Sequence, residues 1–246
     1  MEAEEEKLLE HAKNAVHALT DKKQKWTKKV GSFLLEILVI VIAVNITIWF
    51  HNWNDKKHER QLEKEFLIDI RENLIADTTA IRDNINFYTN IPLVYYDSVQ
   101  SQLNSNKINA QYIDDYKSQL VNNIVPIYDY GIFQSFSSAG NLRLIENRKL
   151  LSDIVSLYSV YLPLSERDIR DMYLWRREGF DKYVGTKIGG VDGKLSTIIH
   201  QPDVKYLIKT GRILIMNINE ENERVNKQIV AVINDIDKEL KEKFKQ

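Results

Sequence analysis

The chain has 246 residues, a formal net charge of −1 and no cysteine. A near-neutral charge gives no overall attraction to a polyanion, so the sequence predicts no nucleic-acid partner. The lack of cysteine excludes disulfides, thiolate metal sites and a cysteine nucleophile. Hydrophobic residues make up 43% and charged residues 28%, which is typical of a folded chain. Nine glycines and four prolines favour long helices over a many-turned β fold.

The N-terminal segment, residues 1–30, contains apolar side chains at helical spacing among charged ones. Leu8, Ala12, Val16 and Leu19 form this pattern, which predicts a short amphipathic helix on the cytoplasmic side of a membrane. Two interpretations remain open. The helix is either a solvated lead-in or a docking helix for a cytoplasmic partner or the membrane surface.

Residues 33–50 form the most apolar stretch of the chain, FLLEILVIVIAVNITIWF. Thirteen of these eighteen residues are Leu, Ile, Val or Phe. As a helix the stretch is about 27 Å long, close to the thickness of a bilayer core of about 30 Å. The thirteen residues contribute about −4 to −8 kcal/mol to insertion, which exceeds the cost of one terminal Glu. The pattern predicts a retained transmembrane anchor over residues 31–54, and not a cleaved signal peptide or a buried core helix.

The residues flanking this stretch indicate how it sits in the bilayer. Trp26 precedes it and Trp49 and Trp53 follow, as expected for aromatic anchors at the two membrane interfaces. Six lysines lie within the twenty residues before the stretch, from Lys13 to Lys29, and four basic residues lie within the twenty residues after it. This bias predicts a cytoplasmic N-terminus and an extracytoplasmic helical domain over residues 55–246.

Glu36, Ala43 and Thr47 share one face of the predicted anchor, together with Ile40. Ala43 and Thr47 form a small-xxx-small pair, which permits close approach of a second helix. One hypothesis is that this face is a homo-oligomeric or partner seam that includes Glu36. The alternative is that Glu36 extends toward the inner headgroups.

The rest of the chain contains further apolar seams at helical spacing. Leu67, Ile70, Leu74, Ile81, Ile85 and Tyr88 predict a long helix that continues from the anchor and ends or kinks at Pro92. Helices are also predicted around residues 110–123 and from Asn147 onward, with an interruption near Pro163 and a seam that resumes through Ile169, Tyr173 and Arg177. A last helix is predicted from Asp203 to the C-terminus, with a seam of Val225, Ile229, Val232, Ile236 and Leu240. The glycine-rich residues 185–194 predict a loop. The fold class is therefore all-α, an irregular antiparallel helical bundle.

Two stretches resemble a known family. The first, Glu36 to Arg60, has a Glu at the start of the apolar run followed by Asn52, Trp53 and Asn54. The second, Phe133 to Tyr161, combines Ser137, Ser138 and Gly140 with Leu142, Leu144, Ile145 and a tyrosine-rich helix. Both resemble a family of uncharacterised single-pass membrane proteins of Gram-negative bacteria, over about residues 30–165. Leu35 and Ala43 stand where that family has glycine. The resemblance implies an inner-membrane anchor and a helical outer domain, and no activity.

No motif in the sequence predicts a catalytic, metal or cofactor site. The five histidines lack metal-ligand spacing, and the residues around Gly189 lack the P-loop and EF-hand patterns. Ser137 and Ser138 lack a nucleophile elbow, and Ser138 is predicted to cap a helix or turn. A set of aromatic residues lines either a core or a pocket for a small ligand or sugar: Tyr128, Tyr130, Phe133, Phe136, Tyr158, Tyr161, Tyr173 and Trp175.

The sequence therefore predicts a non-enzymatic, membrane-anchored protein of the cell envelope. Its partners are expected to be the lipid bilayer and either a protein partner or a second copy of the chain. The leading hypothesis is a protein-binding or scaffold component. A small-ligand sensor that signals through a membrane partner is the alternative.

Overall fold

A computed structural model describes residues 10, 11, 13, 14, 26–190 and 192–244, with residues 26–29 described by their backbone only. The described residues are all-α, with no strand among them, as predicted. The α-helices are α1 Trp26–Asn90, α2 Pro92–Ser105, α3 Ala110–Asp115, α4 Gly131–Ser138, α5 Arg148–Ser156, α6 Leu162–Gly179, α7 Thr186–Ile188 and α8 Pro202–Phe244. The predicted amphipathic helix of residues 2–20 lies almost wholly outside the described residues.

The chain divides into two compact units, Met1–Leu62 and Glu63–Gln246. Helix α1 contributes to both, so the apolar helix continues without a break into the long helix that follows it. The second unit is called the helical unit below. Every core residue and every site described outside the apolar stretch belongs to it.

Helices α1 and α8 run antiparallel in the helical unit, as their apolar seams predicted. Leu67, Ile70 and Leu74 of α1 are fully buried, and so are Val225 and Ile229 of α8. Side-chain contacts link residue 63 to 243, residue 71 to 237 and residue 89 to 219, so the position along α8 falls as that along α1 rises. The two seams pack against each other and are thereby removed from water. This burial supplies most of the stability of a helix pair.

Two of the predicted helix boundaries are confirmed with their physical cause. Helix α1 ends at Asn90 and α2 begins at Pro92. Proline has no backbone N–H to donate, so it is tolerated in the first turn of a helix but not in its interior. Asn147 caps α5, because its side chain accepts a hydrogen bond from the Leu150 N–H. Before Pro163, a π-helical segment Leu157–Tyr161 connects α5 to α6, and a second, Phe180–Gly185, follows α6.

Three predicted details are wrong. The helix predicted around residues 110–123 is shorter, because α3 ends at Asp115 and a 3-10 turn, Lys117–Leu120, follows it. Ser138 is the last residue of α4 and makes no cap for the turn that follows. The α6 seam passes through Arg176, which is buried, whereas Arg177 is exposed. The seam spacing of Ile169, Met172, Arg176 and Gly179 accounts for this, since the prediction was one position late.

The core consists of two apolar clusters separated by a polar layer. One cluster includes Ile81, Leu162 and Val225, and the other includes Tyr88, Ile169 and Ile218. Between them each of the three helices carries a buried polar residue at a seam position: Asn84 in α1, Ser165 in α6 and Asn222 in α8. The side chains of Ser165 and Asn222 have no hydrogen-bond partner among the described residues.

Candidate functional site

The apolar stretch of α1 is exposed along its length. One helix of the described residues is long and apolar enough to cross a membrane, with a mean hydropathy of 2.5 over its most apolar 18 residues and 0% of them buried. A core helix of a soluble protein would instead be mostly buried. Surface of this kind and extent marks a protein-interaction or membrane-interaction site.

The predicted interaction face lies on this exposed stretch. Glu36 and Ala43 are partly exposed and Thr47 is exposed. The Thr47 hydroxyl donates to the Ala43 carbonyl at 2.9 Å, and the Asn45 amide donates to the Val41 carbonyl at 2.7 Å. Both polar side chains are therefore satisfied within their own helix. Glu36 has no hydrogen-bond partner among the described residues for its Oε2.

Aromatic side chains cluster where the apolar stretch ends. Trp49 and Trp53 are exposed, and each contacts Phe50 edge-on, with ring centroids 5.4 and 6.3 Å apart. The Lys57 ammonium lies 5.8 Å from the centroid of the Trp53 ring. An aromatic cluster followed by a cation suits the headgroup level of a bilayer. The side chain of Trp26 lies outside the described part of the chain.

Most of the predicted aromatic set belongs to the core or packs against it. Phe133 stacks on Tyr158 at 4.9 Å and Phe136 stacks on Phe66 at 3.8 Å between centroids. Tyr128, Tyr130 and Tyr161 belong to the same apolar cluster or pack against it. Trp175 differs, because it is 40% exposed and lines a groove.

A buried polar cluster surrounds Asp77, which is 6% exposed. Its Oδ2 has no partner among the described residues, and the same holds for the hydroxyls of Tyr128, Tyr130 and Tyr158. Ser165 and Asn73 lie close enough to Tyr128 and Tyr158 to affect their ionisation, but no hydrogen bond of normal geometry joins them. Burial raises the pKa of all three tyrosines.

The Asp77 carboxyl has a strongly raised pKa. Burial is the main cause, and the nearby carboxylates of Asp129 and Glu166 add to it, so the pKa rises from 3.8 to about 7. At neutral pH the carboxyl is therefore about half protonated. No sequence motif pointed to it, but Asp77 and Thr78 occupy the gap between Leu74 and Ile81 in an otherwise apolar seam.

A surface groove of about 390 Å³ lies between the end of α6, the following π-helical segment and the start of α8. Trp175, Tyr183 and Tyr206 are its exposed aromatic lining. Its size falls in the range of small-molecule sites, about 300–1,000 Å³. The sequence analysis missed Tyr183 and Tyr206. The sequence feature that could have identified them is an aromatic residue on the solvent-exposed face of a helix. Tyr206 is an example, because it lies between the buried residues Val204 and Ile208.

A smaller cavity of about 20 Å³ adjoins this groove, because Trp175 and Leu207 line both. The other lining residues include Arg176, Tyr96 and Gly211. Arg176 is 3% exposed, and its Nη2 donates to the carbonyls of Leu120 and Asn122 at 3.0 and 3.1 Å. Its Nε and Nη1 have no partner among the described residues.

The described residues contain no group of three or more His, Asp or Glu side chains that could hold a metal ion. A scan against protein-family models, a search of curated proteins and a search of solved structures each find no match. The candidate sites of this chain are therefore defined by geometry alone: the exposed apolar stretch, the aromatic groove with its cavity, and the polar cluster at Asp77.

Proposed function

We propose that the chain is a non-enzymatic, membrane-anchored protein of the cell envelope whose helical unit binds a protein partner or acts as a scaffold. The exposed apolar stretch of α1, none of which is buried, carries this proposal. Its exposed residues include Leu34, Leu38, Val41 and Ile46. A hydrocarbon environment removes this surface from water at no cost in backbone hydrogen bonds, because a helix satisfies its own N–H and C=O groups.

The proposed topology is an inner-membrane protein with a cytoplasmic N-terminus and an outer helical unit. The support is the excess of basic residues before the apolar stretch, six against four. The resemblance in Glu36–Arg60 and Phe133–Tyr161 supports the same topology. The bilayer is the first partner of the chain in this proposal.

Fractionation and reporter fusions test the anchor and the topology. The full-length protein should pellet with membranes and resist extraction by alkaline carbonate, and detergent should release it. A phosphatase-type reporter fused after Gln246 should be active, and a cytoplasm-dependent reporter at the same place should not. Full-length protein in the detergent-free supernatant would refute the anchor, and the reverse reporter pattern would refute the topology alone.

The protein partner is proposed from the exposed apolar side chains of the helical unit. Ile127 is 87% exposed, and Val94 and Val160 are more than half exposed. Photocrosslinkers placed at these positions in native membranes should yield one discrete protein adduct. The matched control is Lys241, an exposed polar position, which should yield none. Adducts to lipid or to diverse proteins at all positions would contradict a specific partner.

The groove at Trp175 favours a second candidate, a small-ligand sensor that signals through a membrane partner. Three exposed aromatic side chains on a concave surface offer stacking area, and Glu178, Lys182 and Asp203 add polar groups. Native mass spectrometry of protein purified from its own membranes should then show a bound small molecule. Tyr206→Ala should lose that species and Tyr116→Ala, an exposed tyrosine away from the groove, should keep it. An unliganded wild-type mass would reject the sensor.

A further inference from the structure

Among the described residues, no counter-charge faces the buried guanidinium of Arg176. Its Nη2 donates to two backbone carbonyls, and its Cζ lies 5.8 Å from the centroid of the Tyr96 ring. Carbonyl dipoles and an aromatic face stabilise a cation, but they do not neutralise it. No carboxylate of the described residues forms an ion pair with Arg176. Its Nε and Nη1 have no hydrogen bond of normal geometry among the described residues, and the nearest polar side chain, the neutral Tyr96 hydroxyl, is close enough to be affected by the guanidinium but supplies no negative charge.

Such a group cannot escape its cost by losing a proton, because arginine stays charged in proteins. A buried carboxyl such as Asp77 has that escape, as its raised pKa illustrates. For Arg176 the available relief is an anion that is close to the guanidinium. The cavity of about 20 Å³ that Arg176 lines is the space for it.

The volume of the cavity decides the kind of anion. About 10–15 Å³ is enough for one water molecule, so 20 Å³ holds one particle the size of water or slightly larger. A monatomic anion fits such a space and is the smallest ligand that supplies the missing negative charge. The lining also includes the apolar side chains of Phe180, Val204 and Ile208, which suit a weakly hydrated ion better than a strongly hydrated one.

We propose that Arg176 and the cavity beside it form a binding site for a halide ion, with chloride as the physiological occupant. The ion accepts a hydrogen bond from Nε or Nη1 and supplies the missing negative charge. It enters from the aromatic groove, which adjoins the cavity at Trp175 and Leu207. The site does not depend on the membrane anchor or on the proposed partner.

The test compares salts at constant ionic strength on the full-length protein in a neutral detergent. Replacing sodium gluconate by sodium chloride or bromide should raise Tm saturably by about 2–4 °C, since a ligand bound only by the folded state stabilises it. Arg176→Met should abolish this dependence. Arg177→Met is the matched control, because the neighbouring guanidinium is exposed, and it should keep the full dependence. Equal Tm values of the wild type in gluconate and chloride would overturn the proposal.

A second measurement covers the case in which Arg176→Met does not fold. Crystals of the wild-type protein grown or soaked in bromide should give an anomalous peak in contact with the Arg176 guanidinium. Density without anomalous signal at that place would mean that the cavity holds water, and the proposal would be wrong.

Discussion

Asn222 is a fully buried amide in the polar layer, and neither its Nδ2 nor its Oδ1 has a hydrogen-bond partner among the described residues. It lies between Ile218 and Val225, where the α8 seam is otherwise apolar. A buried polar group without a partner costs about 1–3 kcal/mol. A buried polar residue in a helix seam can specify the register in which helices pack.

Asn222→Val should therefore raise the free energy of unfolding by about 1–2 kcal/mol, because it removes both unpartnered atoms at similar volume. Chemical denaturation of the full-length protein in detergent measures it. Asn147→Val is the control, since the Asn147 side chain accepts from the Leu150 N–H at 3.2 Å and donates to Glu239 at 2.7 Å, and its loss should destabilise. A loss of stability in Asn222→Val would mean that the amide is satisfied in solution.

Asp77 makes the stability of the helical unit depend on pH. Its folded pKa of about 7 lies above its ordinary value of 3.8, so between these values the folded protein keeps a proton that the unfolded chain has lost. The free energy of unfolding therefore falls as pH rises through this window, by at most about 4 kcal/mol, and the penalty is complete above the folded pKa.

Asp77→Asn should remove this part of the pH dependence. The variant should be more stable than the wild type at about pH 8 and nearly equal at about pH 4, because the penalty exists only where the wild-type carboxyl ionises. Thermal unfolding over that range measures it. Asp83→Asn, an exposed acid six residues away on the same helix, should leave the profile unchanged. Parallel profiles for wild type and Asp77→Asn would contradict the assignment.

At the scale of elements, one glycine sets the distance between α2 and α8. A Cβ added to Gly211 would lie 2.8 Å from ring carbons of Tyr96. The Tyr96 hydroxyl donates to the Leu120 carbonyl at 2.8 Å, and this carbonyl also accepts from Arg176. The close approach of the two helices thus positions the groups around the small cavity.

Gly211→Ala should destabilise the protein by about 1–3 kcal/mol, although alanine is the better helix former by about 1 kcal/mol. The reason is that the Tyr96 ring is rigid and hydrogen-bonded. Thermal unfolding measures the loss. Gly179→Ala is the comparison, because its added Cβ meets only the flexible end of Leu207, at 2.9 Å, and it should cost less. An unchanged or higher stability of Gly211→Ala would refute this account.

The end of α8 is held to the start of the helical unit by a buried ion pair. The Lys243 ammonium lies 2.7 Å from Glu63, which is 1% exposed, and 2.9 Å from Glu146. Burial lowers the pKa of Lys243, and the hydrogen bonds to Glu63 and Glu146 raise it by more, so its net pKa is above the ordinary value. The ammonium therefore stays charged and paired at neutral pH.

Lys243→Met should cost about 2–4 kcal/mol, because it leaves the Glu63 carboxylate buried without its cation. Adding Glu63→Gln to this variant should recover part of the loss, which a double-mutant cycle measures. Lys241→Met, at an exposed position two residues earlier, should have little effect. Equal effects of the two lysine substitutions would show that the pair contributes nothing.

The seams and breakers of the sequence were enough to predict the main helices. The seam residues from Leu67 to Tyr88 are buried as the 3.6-residue period required, except Ile85, which is partly buried, and the seam residues from Val225 to Leu240 are buried. Pro92 follows the end of the long helix, and Asn147 caps the start of α5, as expected. The π-helical segments were not predicted, because one wider helical turn changes the spacing of apolar residues too little to be recognised in the sequence. The short α3 was not predicted either, since its residues also suit a longer helix.

The candidate sites were harder to predict because they depend on packing between distant elements. Arg176 and Asp77 both occupy seam positions. From sequence alone, a charged residue at such a position suggests that the seam has been assigned to the wrong residues, and only the structure shows that the residue is buried. The groove joins residues of α6 and α8 that are about thirty positions apart, Trp175 and Tyr206. No local pattern brings them together.

At the scale of the whole molecule, the proposed insertion of the apolar stretch into a bilayer depends on a balance of modest free-energy terms. Its thirteen strongly apolar residues contribute about −4 to −8 kcal/mol, and one lysine at the centre costs about 2.5–3.5 kcal/mol. A single central charge should therefore leave the chain in the membrane. Two should bring the balance close to zero.

The double variant Val41→Lys, Ile42→Lys should move a large fraction of the full-length protein out of the membrane pellet, whereas Val41→Lys alone should remain in it. Immunoblots of carbonate-washed fractions measure the distribution. The volume-matched double variant Val41→Leu, Ile42→Leu is the control and should stay in the pellet. Full retention of the double-lysine protein would mean that contacts other than the bilayer core hold it there.

The contact between Glu63 and Lys243 also means that the helical unit starts and finishes at the same place. Its polypeptide makes a closed circuit, so a short linker could join these two ends, and new ends could be opened in the turn between α2 and α3. A circular permutant of this kind would keep every helix pairing while changing the order of synthesis. The helical unit can therefore be inserted into a longer chain, or removed from one, at a single position.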